Sequence, residues 1–562
     1  MQIPKSNLLL DYYYLPMPEI SFKNPVAYFC AEYGLESHLP IYAGGLGVLA
    51  GDTIKEAADQ NFPMVAVGLM YRGEGFVQEI SGDGSQIESN YDFDPLSSGF
   101  EHVYVDEIPL FVKVHMTEVD VWARVWKKTI KNNVVLYLLD TETDQNLLRE
   151  RSIASALYYG SEEAIIKQQL LLGIGGVKLL HALNIHPAIY HVNEGRPAFL
   201  HWQLIRSYMD AHGMSYDEAA QVAKRKTVYT NHTLVSAGNQ SYNIHLLKSY
   251  GQYYAEKMGI TIDALLEPGM EGGSEHFVMT RFALNTSRRA SGVSQLHYNL
   301  SKESWPEYDW VSITNGVHMP TWQDNEIRDC NKEGDDLWFA HLKKKQELMQ
   351  YIVDRTGFGY DPSRLVIGWA RRFAEYKRAN ELFADVNRLV AILKNERRPV
   401  QLLMAGKAHR NDTRGKMLIQ EAIHYMKNEL SGHAMFIPNY DIDVAQKMIK
   451  GCDVWINTPT PGKEACGTSG MKAIANGVLQ CTVKDGWTAE VEWQGIGWTM
   501  EPNHVAASFY HVLEDEIVPM FYNRDLNGIP QEWLARMKKS IELSVRFSAT
   551  RMLNEYKEML YA

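Results

Sequence analysis

Short, continuously apolar runs alternate with longer segments of 3.6-residue periodicity along the whole chain. The runs are Val26–Tyr33, Met64–Tyr71, Ala188–Asn193, Thr227–Thr230, Trp310–Thr314, Leu365–Ala370, Val400–Ala405, Ala434–Ile437, Val454–Asn457 and Val478–Val483. Most are apolar at every position rather than every second one, so each predicts a strand covered on both faces, the condition of a parallel sheet. Between them lie helical stretches such as Ser161–Leu183, where Ser161 suits an N-cap and two glutamates follow it. Within Leu110–Leu139 the segments LFVKVHM, VDVWARVW and VVLYLLD alternate instead, which predicts a small antiparallel insertion.

At 562 residues the chain is longer than one hydrophobic core normally serves. Two doubly wound α/β halves are the economical arrangement. The first spans residues 1–318, with the β insertion at about 100–140; the second spans 319–545 and starts in earnest at Leu365–Arg372, after a polar, helical connector at Asn325–Arg355. In the remaining segment, 546–562, Ala549, Met552, Tyr556 and Met559 share one helical stripe. That stripe suits a helix crossing back to the first half as well as it suits plain core packing of the second.

Hydrophobic residues at 45% and charged residues at 22% describe an ordinary globular protein rather than a disordered one. A net charge of −12 disfavours indiscriminate binding to nucleic acid. The five cysteines are scattered and form no CxxC pair, so neither a zinc ribbon nor a disulfide scaffold is suggested, and no metal site is expected. The most apolar helical stretch, Leu170–Leu183, carries Lys178 and His181 and reads as a core helix, not a membrane span. The N-terminal MQIPKSNLLLDYYYLP lacks the apolar core of a signal peptide, so a cytoplasmic enzyme is expected.

Ligands of open α/β sheets bind beyond the carboxyl ends of the strands. The residues there are Glu194, His232, Asn315, Arg371-Arg372, Lys407, Tyr440, Thr458 and Asp485. Polar ends contributed by both halves predict a cleft between them. Three clusters sharpen this. Gly44-Gly45-Leu46-Gly47 precedes a helix, and its glycines would let backbone N–H groups approach an anion. A second glycine run, Gly173-Ile174-Gly175-Gly176, lies inside a helix and suits close packing. Arg371-Arg372-Phe373-Ala374-Glu375-Tyr376-Lys377-Arg378 puts four cations directly after a strand, in an acidic chain. That pattern favours a phosphate-sized anion, with a solvated helix face as the bland reading. Glu464-Ala465-Cys466-Gly467-Thr468-Ser469-Gly470-Met471-Lys472 leads small residues into a short helix. Lys472 is expected in its first turn, where the N–H dipoles would depress the amine's pKa as a Schiff-base lysine requires.

With these clusters on the page, the chain resembles the α-glucan phosphorylases of the short bacterial type. The resemblance covers most of the sequence: Ala31–Leu35, Pro40–Asp52, His191–Gly195, Asn231–Thr233, Asn315–His318, Arg371–Arg378, Gly406–His409 and Gly467–Lys472. It implies a GT-B fold, two Rossmann-like domains facing a deep cleft with the C-terminal helix crossing back. It implies pyridoxal 5'-phosphate (PLP) on Lys472, with Thr468, Ser469 and Arg371 holding the cofactor phosphate. Substrate phosphate would lie near Arg372, Lys377 and the loop Gly44-Gly45-Leu46. Glu464, the backbone at Gly467 and Tyr376 would meet the reacting sugar, and His232 and Asn315 its 6-hydroxyl. The implied reaction is phosphorolysis of α-1,4-glucans by inorganic phosphate to glucose 1-phosphate with retained configuration, the cofactor phosphate relaying a proton. No hydrolase-type carboxylate pair is then required, which leaves Glu194 and Asp485 to packing or hydrogen bonding. Phosphorylases are often homodimers, but no interface is readable; at 562 residues, no counterpart of the regulatory segments of animal and plant forms is expected.

Departures from the family's pattern bear on substrate choice more than on reaction type. Arg196 stands where histidine is common, Cys466 replaces a serine, and Trp369 and the stretch Asp485–Ala489 deviate mildly. Two other readings fit parts of the pattern: a glucosyltransferase using a nucleotide sugar, with Arg372 and Lys377 on a diphosphate, and a degenerate glucan-binding scaffold.

Overall fold

The computed structural model describes residues 18–562 apart from 74–75, 91–92, 158–159, 235–238, 273–274 and 331–333. The N-terminal stretch MQIPKSNLLLDYYYLP lies outside the described residues. Two sheets dominate a mixed α/β structure. The first has ten strands, of which seven run parallel, in the spatial order Trp310–Ser312, Arg289–Gly292, Thr227–Thr230, Ile189–Asn193, Val26–Cys30, Met64–Leu69, Val134–Asp140. The second has six, all parallel: Ala434–Ile437, Val400–Ala405, Leu365–Ala370, Val454–Asn457, Leu479–Val483, Trp498–Met500. In both, chain order reverses beside the first strand, so each sheet has one crevice where successive crossovers diverge.

The apolar runs are strands because helices cover both faces. Leu365–Ala370 and Val400–Ala405 are buried at every position. The alternating segment behaves differently, as its pattern requires. Along Phe111–Met116, Val112, Val114 and Met116 point inward and Lys113 outward. Val119–Ile130 pairs antiparallel with Phe111–Met116 and with Val134–Asp140, which joins the main sheet parallel to Met64–Leu69. The sheet thus gains an antiparallel margin.

Ser161 caps its helix, Oγ accepting from the Ala164 N–H at 3.3 Å. The glycine run makes a wide π turn at Leu171–Gly175. A Cβ on Gly173 would lie 2.4 Å from the Leu200 backbone nitrogen, and one on Gly176 2.4 Å from the Phe29 ring, so these glycines serve close packing. The connector forms the helices Asn325–Asp329 and Asp336–Thr356.

Helix Ala549–Glu555 and its continuation Tyr556–Leu560 bury Ala549, Met552, Tyr556 and Leu560 against Val26, Tyr28, Val228 and Ile313 of the first sheet's core. No helix among the described residues is long and apolar enough to cross a membrane.

A hairpin that the apolar pattern does not reveal, Phe76–Ile80 with Gln86–Asn90, reaches from the first half onto the second. Gln78 exchanges hydrogen bonds with the backbone N–H and side-chain Oδ1 of Asn439 (2.8 and 3.1 Å) and donates to the Gly406 carbonyl at 2.9 Å. Gln86 brackets Ala408, accepting from its N–H and donating to its carbonyl, both at 3.0 Å.

Candidate active site

At the second crevice the basic run divides by role. Arg371 and Phe373 extend the sheet by one step, their N–H groups donating to Ala405 and Lys407 carbonyls at 3.2 and 3.0 Å. The chain then turns through Glu375–Lys377, and Arg378 takes a left-handed conformation (φ 50°). The Arg378 guanidinium donates to the carbonyls of Thr458, Pro459 and Pro502. It is a loop tie rather than an anion ligand. Arg372 is exposed, while Arg371 and Lys377 are buried and both turn towards Glu464. Lys377 bonds directly to the Glu464 carboxylate, and Arg371 approaches it at 3.8 Å. Burial alone would raise the Glu464 pKa; Lys377 and Arg371 outweigh it and hold the carboxyl below its usual value. Tyr376 lies beneath the Lys377 amine, 4.7 Å from ammonium to ring centre.

The glycine-rich loop lies against the same groups. Gly467 has φ 82° and passes within contact of the Glu464 side chain, so a larger residue is strained there. Asp485 accepts the Glu464 N–H at 2.9 Å, and Trp487 donates to the Gly467 carbonyl at 3.0 Å. Thr468 is half-buried at the start of helix Ser469–Ile474, and Ser469 Oγ accepts from Trp455 at 3.3 Å and from Arg371 at 3.5 Å. Arg371 Nε, itself buried, finds no partner among the described residues.

Lys472 is buried, its amine 3.8 Å from the centre of the Trp322 ring. Its pKa is lowered to about 8. The cause differs from the one expected: Lys472 is the fourth helical residue, and its own N–H already bonds Thr468. Desolvation, not the helix start, lowers the pKa, against the opposing charge of Asp52.

The first half brings its glycine loop and three polar strand ends. Gly44 caps helix Gly45–Asp59, and the N–H groups of Ala43 and Gly44 donate to Glu32 at 2.8 and 3.0 Å. A Cβ on Gly44 or Gly45 would meet nothing within 4 Å, whereas one on Gly47 would meet Glu32 at 2.6 Å. The first two glycines therefore keep backbone open, with half-buried Leu46 behind them. His232 donates through Nε2 to Asn193 Oδ1 at 2.7 Å, and its backbone N–H donates to Glu194 at 3.0 Å. Burial lowers the His232 pKa to about 3, so the ring is neutral at ordinary pH. Glu194, in a left-handed conformation (φ 69°), also accepts from Tyr229 at 3.3 Å, and burial raises its carboxyl to about 7. Asn315 Oδ1 is buried with no partner among the described residues. Ser294 donates to the Ala465 carbonyl at 2.6 Å, which fastens the glycine-rich loop to the first half beside Asn315.

Of the remaining strand ends, Thr458 bonds the Lys377 carbonyl at 2.8 Å, and Lys407 reaches out to the Phe76 carbonyl at 2.9 Å. His318 pairs with Asp59 and Thr321 and belongs to the framework. Asp52 and Trp322 carry no strand-end signal, and only the fold brings them to Lys472.

The strand ends and loops of the two sheets thus supply a buried amine, buried and exposed cations, a glycine loop with open backbone and the unpaired Asn315 Oδ1. Comparisons with known proteins agree with that chemistry. Residues 175–333 and 325–497 match the model of the carbohydrate phosphorylases. Maltodextrin phosphorylase of Thermococcus litoralis is 37% identical over 96% of this chain and 71% of its own. Glycogen phosphorylases of Aquifex aeolicus and Mycobacterium tuberculosis are each 33% identical, over 97% and 96% of this chain and 87% and 70% of theirs. With the motifs, the match over more than half the chain and relatives of this extent all pointing one way, the chain belongs to the carbohydrate phosphorylase family.

Proposed function

We propose that the protein cleaves α-1,4-glucans with inorganic phosphate, releasing glucose 1-phosphate with retained configuration and using PLP held at Lys472. The observation that carries this reading is a buried lysine of lowered pKa whose loop also meets a buried arginine and lysine. The fit to PLP is good. Lys472 offers a partly unprotonated amine over an aromatic face, and the unpartnered Nε of Arg371 with Thr468 and Ser469 suits the cofactor's phosphate. When bound, PLP supplies a phosphate group able to exchange a proton with the substrate phosphate.

The chain's own residues supply the rest. Arg372 and Lys377 hold substrate phosphate, with the loop Gly44-Gly45-Leu46 facing it; the Gly44 N–H is already committed to Glu32, which leaves those of Gly45 and Leu46. Glu464 keeps Lys377 in place and, with Gly467 and Tyr376, meets the sugar. Neutral His232 and the unpaired Asn315 Oδ1 recognise the 6-hydroxyl. In this reading the halves are the two Rossmann-like domains of a GT-B fold, residues 1–318 and 319–545, with 546–562 crossing back. The nucleotide-sugar reading is not favoured, since both the family model and the named relatives are phosphorylases. Incubating the PLP-loaded protein with a maltodextrin and phosphate should yield glucose 1-phosphate. Transfer from a nucleotide-activated glucose, with no phosphorolysis, would replace this proposal with the alternative.

A further inference from the structure

We propose that Asp52 is a positioning residue for Lys472, setting the charge of its amine through the indole of Trp322. Asp52 sits inside helix Gly45–Asp59, two turns beyond the open glycines, and is 1% exposed. Both carboxylate oxygens accept from the Trp322 Nε1–H, at 2.9 and 2.8 Å. The other side of this relationship is the Lys472 amine, stacked 3.8 Å from the centre of the same ring. Carboxylate, indole and amine come from helix Gly45–Asp59, the short helix Met319–Trp322 and helix Ser469–Ile474.

Trp322 is fixed where it stands. Its carbonyl accepts from Asn476 Nδ2 at 2.9 Å, while Asn476 Oδ1 accepts the Asp324 N–H at 2.8 Å and Gln323 donates to the Ala475 carbonyl at 2.8 Å. The ring is thus pinned to the end of the helix that carries Lys472. A carboxylate drawing on the indole N–H makes the ring face more negative, which improves it as a partner for an ammonium. A buried carboxylate whose hydrogen-bond donor is one neutral indole is costly unless an opposite charge lies close. Lys472 is that charge. Asp52 is also faced by Lys55 from its own helix and by His318 from the segment before Trp322, while Lys472 is faced by Asp52 and Lys55. Asp52 is accordingly the counter-charge of the amine, and Lys55 acts against it.

The inference rests on the reading of Lys472 as the cofactor's lysine, but its test does not need the cofactor. The full-length chain, freed of PLP, is acetylated with trace acetic anhydride across pH 6 to 11, and modification of the Lys472 peptide is followed by mass spectrometry. Asp52→Asn keeps an acceptor for the indole and removes the charge. Its Lys472 labelling midpoint should fall by about one pH unit relative to wild type, giving about threefold faster labelling half a unit below the wild-type midpoint. Trp322→Phe, which keeps an aromatic face but removes the indole N–H and narrows the ring, should move the midpoint the same way, because the orphaned carboxyl then protonates more readily. If Asp52→Asn does not fold, Trp322→Phe decides alone. An unchanged midpoint in a folded variant overturns the inference. Failure of wild type to take PLP at Lys472 overturns the cofactor reading and leaves the midpoint comparison standing.

Discussion

The guanidinium of Arg551 donates to the main-chain carbonyl of Asn315 at 3.1 Å. It also donates to the Thr314 carbonyl at 2.6 Å and is steadied by Glu555 at 2.8 Å. Met552 Sδ accepts the neighbouring Gly316 N–H at 3.2 Å, and a Cβ on Gly316 would lie 2.2 Å from the Ser548 carbonyl oxygen. The C-terminal helix therefore holds the loop that presents Asn315. Arg551→Ala should cost about 1.5–3 kcal/mol at that loop. Steady-state kinetics should show kcat/KM reduced about tenfold or more and weaker discrimination against 6-deoxyglucosyl donors.

The two adjacent arginines should separate on mutation. Arg372→Ala is expected to weaken phosphate use by a factor of about a hundred or more, with PLP content retained. Arg371, buried against Ser469 and Glu464, should lose cofactor when changed to alanine. Intact phosphate kinetics in Arg372→Ala would return that residue to a solvated face.

Borohydride reduction should attach a pyridoxyl group to the peptide containing Lys472 and to no other. Lys472→Ala should lose the cofactor's visible absorbance and nearly all phosphorolysis, and free PLP should restore little. A label at another lysine refutes the assignment.

His232 should impose no ionisation of its own on the rate between pH 5 and 8, because its pKa is lowered to about 3. Its proton on Nε2 is committed to Asn193, so His232→Ala is expected to shrink discrimination against 6-deoxyglucosyl donors rather than to shift the pH profile. Equal discrimination in mutant and wild type would make the histidine a packing residue.

At the opposite end of the second sheet, Asp453 binds His341 at 2.8 Å and Lys345 at 2.6 Å, all three fully buried. Burial would raise the Asp453 pKa, but Lys345 and His341 bring it below its usual value. Its folded pKa being lower than its unfolded one, near 4, the carboxylate adds stability above that unfolded value. That contribution is lost as pH falls towards the folded pKa. Asp453→Asn should cost about 3–5 kcal/mol at neutral pH. Thermal melts should show a gap from wild type that narrows in acid.

Much of this architecture was legible because burial on both faces leaves a mark in composition. Leu365–Ala370, Val400–Ala405, Ala434–Ile437 and Val454–Asn457 begin and end where their apolar runs do. Val26–Tyr33 stops early, at Cys30, where the chain turns so that Glu32 can reach the glycine loop. The clusters after the strands were legible for the same reason, since strand ends define the crevice. What pattern could not supply was pairing between distant polar groups. Nothing in Gln78 or Gln86 announces a contact with Gly406 or Ala408, and Asp52 meets Trp322 across 270 residues. Periodicity reports which face is buried, not which buried partner it finds. The division of labour within Arg371–Arg378 was equally hidden, because the left-handed turn at Arg378 sends its guanidinium away from its neighbours.

The crossing helix also sets a timetable for biosynthesis. Lys557 bonds to Gln60, 497 residues earlier, and the helix that carries it closes the core around Val26 and Tyr28. At roughly 5–20 residues per second, a ribosome needs on the order of 25–100 s to cover that interval. Throughout it, the part of that core not covered by helix Gly45–Asp59 waits for its last layer.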